Sequence, residues 1–322
     1  MLASGDLAAR GSYAGCDIYF SEVNRSLVVV SACARPDRTS RMISIERHEL
    51  TSVDDAAASA PIKTVRVRHG ATAEFIVHCS SAYAIICCAH ATDLGAAELR
   101  HVLHDLILPK VLALLGERVL HGALLSVGGQ GIAIIGPSGA GKSTLAAALN
   151  MRGAELHSDD AFVLRSSATG FHAQGAYPSL RLWPDSLRQL FPAGRTSTIM
   201  SERTSKCCVQ TDEPVEDLVP LRAIILLAPT ARDSCISAVK PSRSCMSLVT
   251  NSFQLEPTDT VAAAANLEFM RDVALQIPTF LLGRPKDYSQ LPAACDAVLS
   301  TLEINCGSSH MRDSLHDQHV AL

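Results

Sequence analysis

The chain lacks any uninterrupted apolar stretch of the roughly 18 residues that a membrane-spanning helix needs. The nearest candidate, Leu106 to Leu115, is broken by Pro109 and Lys110. Nor does the N-terminus, Met1-Leu-Ala-Ser-Gly-Asp-Leu, offer a basic n-region or an apolar h-region, so no secretory signal is read there. No lysine/arginine block stands out, and 28 basic against 32 acidic residues give a formal charge of −4. That balance argues against a nucleic-acid partner. No Cys-x-x-Cys pair occurs among the 11 cysteines, and the adjacent pairs Cys87-Cys88 and Cys207-Cys208 have the wrong spacing for zinc. Six of them (Cys16, Cys33, Cys79, Cys87, Cys88 and Cys235) sit in or beside strand-like runs, where a reduced thiol acts as a small hydrophobe. The expectation is a cytoplasmic protein with no membrane partner. Its 322 residues, 48% hydrophobic and 19% charged, suffice for one large or two ordinary globular domains.

The sequence does contain a complete phosphate-binding loop, Gly136-Pro137-Ser138-Gly139-Ala140-Gly141-Lys142-Ser143-Thr144. An apolar run, Gly131 to Ile135, precedes it and an alanine-rich helical stretch to Asn150 follows. This is the strand–loop–helix context in which such a motif has meaning. Glycines let backbone N–H groups curl around phosphate oxygens, and the helix N-terminus adds partial positive charge. Lys142 is expected to reach the β/γ-phosphates and Ser143 to ligate Mg²⁺.

Around this loop the chain divides into three predicted parts. Residues 1–92 read as a smaller β-rich domain, with candidate strands at 17–20, 26–30, 42–46, 64–68, 73–77 and 82–86 and a hairpin turn at His69-Gly70. Residues 93–306 read as an α/β domain, with a helix at 96–115, then alternating strands and helices, and a sheet mainly parallel or mixed. The helix carries His101 and His104, with no third metal ligand beside them, as ordinary surface or interface histidines. Segment 194–216 is polar and predicts a mobile loop. Residues 307–322, with His310, His316 and His319 but no apolar period, predict a disordered tail.

Three residues extend the loop into a candidate catalytic set. His121 lies 21 positions before Lys142, and Asp159 and Asp160 lie 17 and 18 positions after it. An acidic pair following the first helix can arrive beside the loop, one carboxylate holding Mg²⁺ and the other taking a proton from an attacking hydroxyl. Alone, the acidic pair would pass for a solvated turn and His121 for a core histidine; the loop gives them meaning. Arg181, Arg203 and Lys206 are candidate cations for the γ-phosphate, and Trp183 is read as packing or the wall of a peptide groove.

Leu120-His121-Gly122-Ala-Leu, the loop, and Arg152-Gly-Ala-Glu-Leu-His-Ser-Asp159-Asp160 together resemble the catalytic core of the HPr serine kinase/phosphorylase family. The resemblance is strong over residues 117–185 and weaker to about 303. It implies ATP and Mg²⁺ as cofactors, Asp159 as the base that activates a serine hydroxyl, Asp160 with Ser143 at the metal, and His121 orienting acceptor or base. It is also compatible with a homo-oligomer. The chain departs from that family at Tyr177-Pro-Ser-Leu-Arg-Leu-Trp-Pro184, which has no Glu, in its C-terminal signature and in its first part. It is more similar to divergent peptide serine kinases such as those of lasso-peptide clusters. A serine of a peptide or small protein is therefore the expected acceptor. Two alternatives stand beside this one: a small-molecule phosphotransferase and a non-catalytic ATP-binding regulatory module. A conventional P-loop ATPase is disfavoured, because the later strand 223–228 ends in Pro229-Thr230 with no carboxylate.

Overall fold

The computed structural model describes residues 9–13, 16–23, 26–33, 42–44, 63–69, 73–79, 83–90, 101–176, 179–194, 197–201, 204–210, 218–228, 234–253, 259–283 and 286–302. The predicted tail, and Arg203, lie outside them.

Strands β1 (Ala9–Tyr13), β2 (Cys16–Val23) and β3 (Ser26–Cys33) form an antiparallel three-stranded sheet. Strands β4 (Met42–Ser44), β5 (Lys63–His69), β6 (Ala73–Cys79) and β7 (Tyr83–His90) form a second sheet in the order β4-β7-β6-β5. Pairing of His69 with Ala73 closes the β5–β6 hairpin where the sequence predicts a turn. Alternation sends Phe75 and Val77 inward, where they are buried with Ile86 against the helical segment that follows.

That segment contains a π-helical turn, Leu103–Ile107, after which the Leu108 N–H bonds the carbonyl of Leu103. It continues as an α-helix, Leu108–Leu114, with Pro109 in its first turn. Proline has no N–H to donate, and a wider turn just before it shifts the hydrogen-bond register around the missing donor. His104 is 8% exposed, so of the two expected settings it does not take the surface one; it sits on the same helix as the buried Leu103, Ile107 and Leu108.

The remaining strands are β8 (Arg118–Val127), β9 (Gln130–Ile135), β10 (Glu155–Ser158), β11 (Ala161–Ser167), β12 (Gly170–Gly175), β13 (Ser179–Leu182), β14 (Ser197–Ser201), β15 (Thr204–Gln210), β16 (Val219–Ala228), β17 (Cys235–Ala238) and β18 (Thr279–Gly283). Eight of them make one mixed sheet, in the order β10-β8-β11-β12-β16-β18-β17, with β9 paired to both β8 and β16. Parallel pairing joins β9 to β16 and β16 to β18; the other pairs are antiparallel.

This sheet is covered on both faces, which is why its central strands read as continuous apolar runs. Ala123, Leu125, Ile132, Ile134, Ala223, Ile225 and Leu227 point to one side, against the helices Lys142–Asn150 and 291–302. Leu124, Ala133, Ile135, Ile224 and Leu226 point to the other, against the helices Pro241–Thr250 and Thr260–Gln276. Each fully buried leucine or isoleucine contributes about 1.5–3 kcal/mol. Asp259 caps the helix Thr260–Gln276 by accepting from the Ala262 N–H at 2.9 Å.

The segment predicted as a loop at 194–216 instead contains β14 and β15, paired with β13 in a three-stranded sheet. Leu180 and Leu182 of β13 and Val209 of β15 are almost wholly buried in the core beneath the helix Lys142–Asn150 and anchor that sheet. Cys235 is exposed rather than packed, since β17 is the last strand of its sheet. No helix among the described residues is long and apolar enough to cross a membrane.

Candidate active site

Strand β9 delivers the chain to Gly136 at its carboxyl end, the side of an α/β sheet where ligand crevices form. Gly136 has φ +153°, and a Cβ there would lie 3.1 Å from the Leu227 carbonyl on β16. Only glycine lets the two strands approach so closely. The left-handed Gly141 (φ +96°) then starts the helix Lys142–Asn150, with no side-chain cap and no acidic residue in its first turn. The positive end of that helix is thus left for an anion. Lys142 Nζ donates to the carbonyls of Gly136 at 2.8 Å and Pro137 at 3.3 Å, and an ammonium has a third N–H to offer. Burial pulls its pKa below the ordinary lysine value, with Asp160 and Asp159 acting in the opposite sense.

Asp159 and Asp160 occupy the bend between β10 and β11, and both of these strands run antiparallel to β8. Pairing of Ala161 with His121 places the second carboxylate beside the imidazole. His121 Nδ1 lies 2.9 Å from the Asp160 carbonyl oxygen. A carbonyl can only accept, so Nδ1 carries the proton and Nε2 is left as an acceptor. Burial, and then the nearby Lys142 charge, hold the His121 pKa below its ordinary value. The ring rests edge-on against Phe253, with centroids 6.1 Å apart.

The two carboxylates have different surroundings. Asp160 lines the cavity in front of the loop; Asp159 is 1% exposed and is not part of the cavity wall. Asp159 Oδ2 accepts from the Arg181 backbone N–H at 2.9 Å, whereas its buried Oδ1 makes no hydrogen bond. Burial above all, and then the Asp160 charge, raise its pKa from 3.8 to about 7; the backbone N–H and the neighbouring Ser143 hydroxyl oppose the rise.

Arg181, on β13, is 6% exposed. Its Nη1 pairs with the Oδ2 atoms of both Asp160 and Asp105, and Asp105 Oδ2 also pairs with His101 Nδ1. Against its burial, Asp160 and Asp105 hold its pKa above the ordinary arginine value.

The cavity has a volume of about 310 Å³ and is walled further by Trp183, Asp185, Ser186, Lys206, Lys286 and Tyr288. Lys206 Nζ stands 5.5 Å above the Trp183 ring centre, a cation–π arrangement. Tyr288 donates to Asp185 Oδ2 at 2.9 Å. With that proton committed, Ser186 donates to Tyr288 at 2.9 Å and Thr144 donates to Ser186 at 3.1 Å. This one-directional hydroxyl chain ties the loop's helix to the far wall.

The structure thus brings His121, the loop, Asp159, Asp160, Arg181, Trp183 and Lys206 together. Sequence reasoning missed Asp105, Asp185, Ser186, Lys286 and Tyr288. A second polar cluster, in which Ser126 donates to Glu155 at 2.7 Å and lies 2.9 Å from His157 Nε2, superficially suggests a nucleophile. Ser126 is 0% exposed and out of reach of any substrate. No group of three metal-type ligands occurs among the described residues. For a divalent cation, the unpartnered Oδ1 of Asp159 beside the Ser143 hydroxyl is a fitting oxygen pair, because such ions keep several waters and need few protein ligands.

Fold and site together define a mixed α/β protein whose cavity is lined by Ser138 to Thr144, Asp160 and His121, with Asp159 buried behind the wall. Residues 113–179 match the family described as HPr Serine kinase C-terminal domain. The chain is thereby HPr-kinase-like over the segment that holds His121, the loop, Asp159 and Asp160; the match ends before Arg181. Among solved structures, the Hpr(Ser) kinase/phosphatase from Coxiella burnetii aligns with 62% of this chain and 98% of its own, at 13% identity and a TM-score of 0.34. That overlap is too loose to transfer any detail. No curated protein matches the chain in sequence.

Proposed function

We propose that the chain is an ATP- and Mg²⁺-dependent serine kinase that transfers the γ-phosphate to a peptide or small protein. The observation that carries this reading is the convergence on one cavity of the loop residues Ser138 to Thr144, His121 and Asp160. A module that only bound nucleotide would need the loop but neither the carboxylate nor the neutral imidazole. Phosphoryl transfer needs positioning, charge neutralisation and a group to receive the acceptor's proton. The family matched at residues 113–179 supports the same chemistry.

The geometry favours a division of labour opposite to the one drawn from sequence. Asp159, buried beside Ser143, is assigned to the metal, and Asp160, on the cavity wall, to the acceptor hydroxyl. His121, whose Nδ1–H donates to the Asp160 carbonyl at 2.9 Å, orients that base. Mg²⁺ held by Ser143 and Asp159 would supply charge neutralisation at the phosphates. Lys142 binds the phosphates, and Lys206 and Lys286 add positive charge at the mouth. We assign residues 93–306 to this chemistry and the β-rich residues 1–92 to recognition of the acceptor. The assigned compartment is the cytoplasm.

The test incubates the purified chain with γ-labelled ATP, Mg²⁺ and a panel of HPr, serine-containing peptides and small hydroxylated metabolites. Label on a peptide serine, lost in Asp160→Asn, is the expected result. Label confined to a small metabolite, or tight ATP binding with no label anywhere, would favour one of the two alternatives instead.

A further inference from the structure

We propose that Asp105 is a positioning residue for the transfer step, acting through Arg181 to fix the Asp160 carboxylate on the cavity wall. The proposal rests on the kinase reading above and extends its site to a helix that contributes nothing to the loop. Asp105 lies in the π-turn Leu103–Ile107, whose neighbours Leu103, Ile107 and Leu108 are buried in an apolar cluster shared with β6 and β7. A carboxylate is an expensive choice there. Its Oδ1 is buried without a hydrogen bond, while Oδ2 serves both His101 and Arg181. The arrangement makes sense for what it does to the guanidinium. Arg181 Nη1 is divided between Asp105 and Asp160, and its backbone N–H goes to Asp159. Without Asp105 the guanidinium has one carboxylate partner, and nothing prevents it from swinging onto Asp160 and covering the oxygens that face the acceptor. The wider turn is part of the device, since π-turns often mark functional positions.

Two arms test this. In ATP-turnover kinetics, D105N is expected to lower kcat at least about ten-fold while KM for ATP changes less than about two-fold. D105E should recover part of the loss. In the R181K background D105N should add little, because both act through one contact. Parallel changes in kcat and KM, or a double variant equal to the product of the singles, would overturn the proposal. The second arm is independent of activity: a crystal structure of D105N, or of D105S if D105N does not fold. Arg181 drawn fully onto Asp160 supports the proposal; unchanged Arg181 and Asp160 side chains overturn it. A wild-type chain inert toward every acceptor would count against the kinase reading, and the crystallographic arm would then decide the positioning claim alone.

Discussion

Replacing Asp159 by Asn should make the metal-free protein more stable in alkaline solution than the wild type, and the difference should fade as the pH falls. The side chains are nearly isosteric, and the amide oxygen still accepts from the Arg181 N–H that bonds Asp159 at 2.9 Å. What changes is charge. Burial raises the carboxyl pKa from 3.8 to about 7, so the folded state holds a proton that the unfolded chain releases. Stability from this group is complete below the unfolded pKa and is lost as pH rises through the folded one. The full difference corresponds to roughly 4 kcal/mol. Between pH 5 and pH 8, about 2–3 kcal/mol of it should appear as a growing advantage of the variant. Urea denaturation of both proteins in EDTA across that range reads the effect, because titrating groups remote from Asp159 cancel in the comparison. Mg²⁺ added at pH 8 should stabilise the wild type and leave the variant unchanged. A pH-independent difference, or one that grows toward acid, would refute the reasoning.

Other perturbations test the site and its scaffold. Lys142→Ala should weaken ATP about 10–100-fold by isothermal titration, as expected for loss of a charged hydrogen-bond donor; an unchanged affinity would deny the loop its role. Trp183 is the only tryptophan and has Lys206 5.5 Å above its ring, so ATP binding that draws the ammonium away should change intrinsic fluorescence, and a silent titration would place the phosphates elsewhere. By NMR, His121 should titrate below the ordinary histidine range as the Nδ1–H tautomer, given burial and its contact to the Asp160 carbonyl; an Nε2–H signal would exclude it as an acceptor toward the cavity. Gly175→Ala would set a Cβ 2.2 Å from the His157 carbonyl, so a loss of about 3 kcal/mol or more is expected on urea denaturation.

The parts of this protein that were legible in sequence are those whose signals are local. The loop, its strand and its helix lie within one short stretch, and β8, β9 and β16 read as strands because both faces of their sheet are covered. His121 and Asp160 could be paired because 39 residues bring them back to the same strand edge. The β13–β15 sheet was hidden, since Leu180, Leu182 and Val209 are its few buried apolar residues and its polar remainder, the buried Arg181 included, gives it the composition of a loop. Two short helices were missed although proline marks the first turn of each, Pro184 after Trp183 and Pro241 after Lys240. The far wall was beyond sequence reasoning: Ser186 and Tyr288 meet across 102 residues with no motif to link them. Arg181 could be named from sequence as a cation near the phosphates, but not as a group bound to two carboxylates, because Asp105 comes from a helix that looks wholly structural.

The partnering of Arg181 bears on the acceptor. With its guanidinium committed to Asp105 and Asp160, phosphate charge falls to Lys142 and to the lysines at the mouth, Lys206 and Lys286. A volume of about 310 Å³ is at the low end for a pocket that encloses one small ligand, so a bound nucleotide would leave little of it for a second one. An acceptor must then present its hydroxyl from outside, over a rim where Trp183 is 47% exposed and Asp185 faces solvent. A serine carried on a peptide can use that rim for binding; free serine or a small polyol cannot. The expected ordering is therefore a kcat/KM for a serine peptide at least about a hundred-fold above that for free serine, the worth of a few kcal/mol of remote binding. Equal values would mean that the rim contributes nothing, and the small-molecule phosphotransferase would become the better reading of the same cavity.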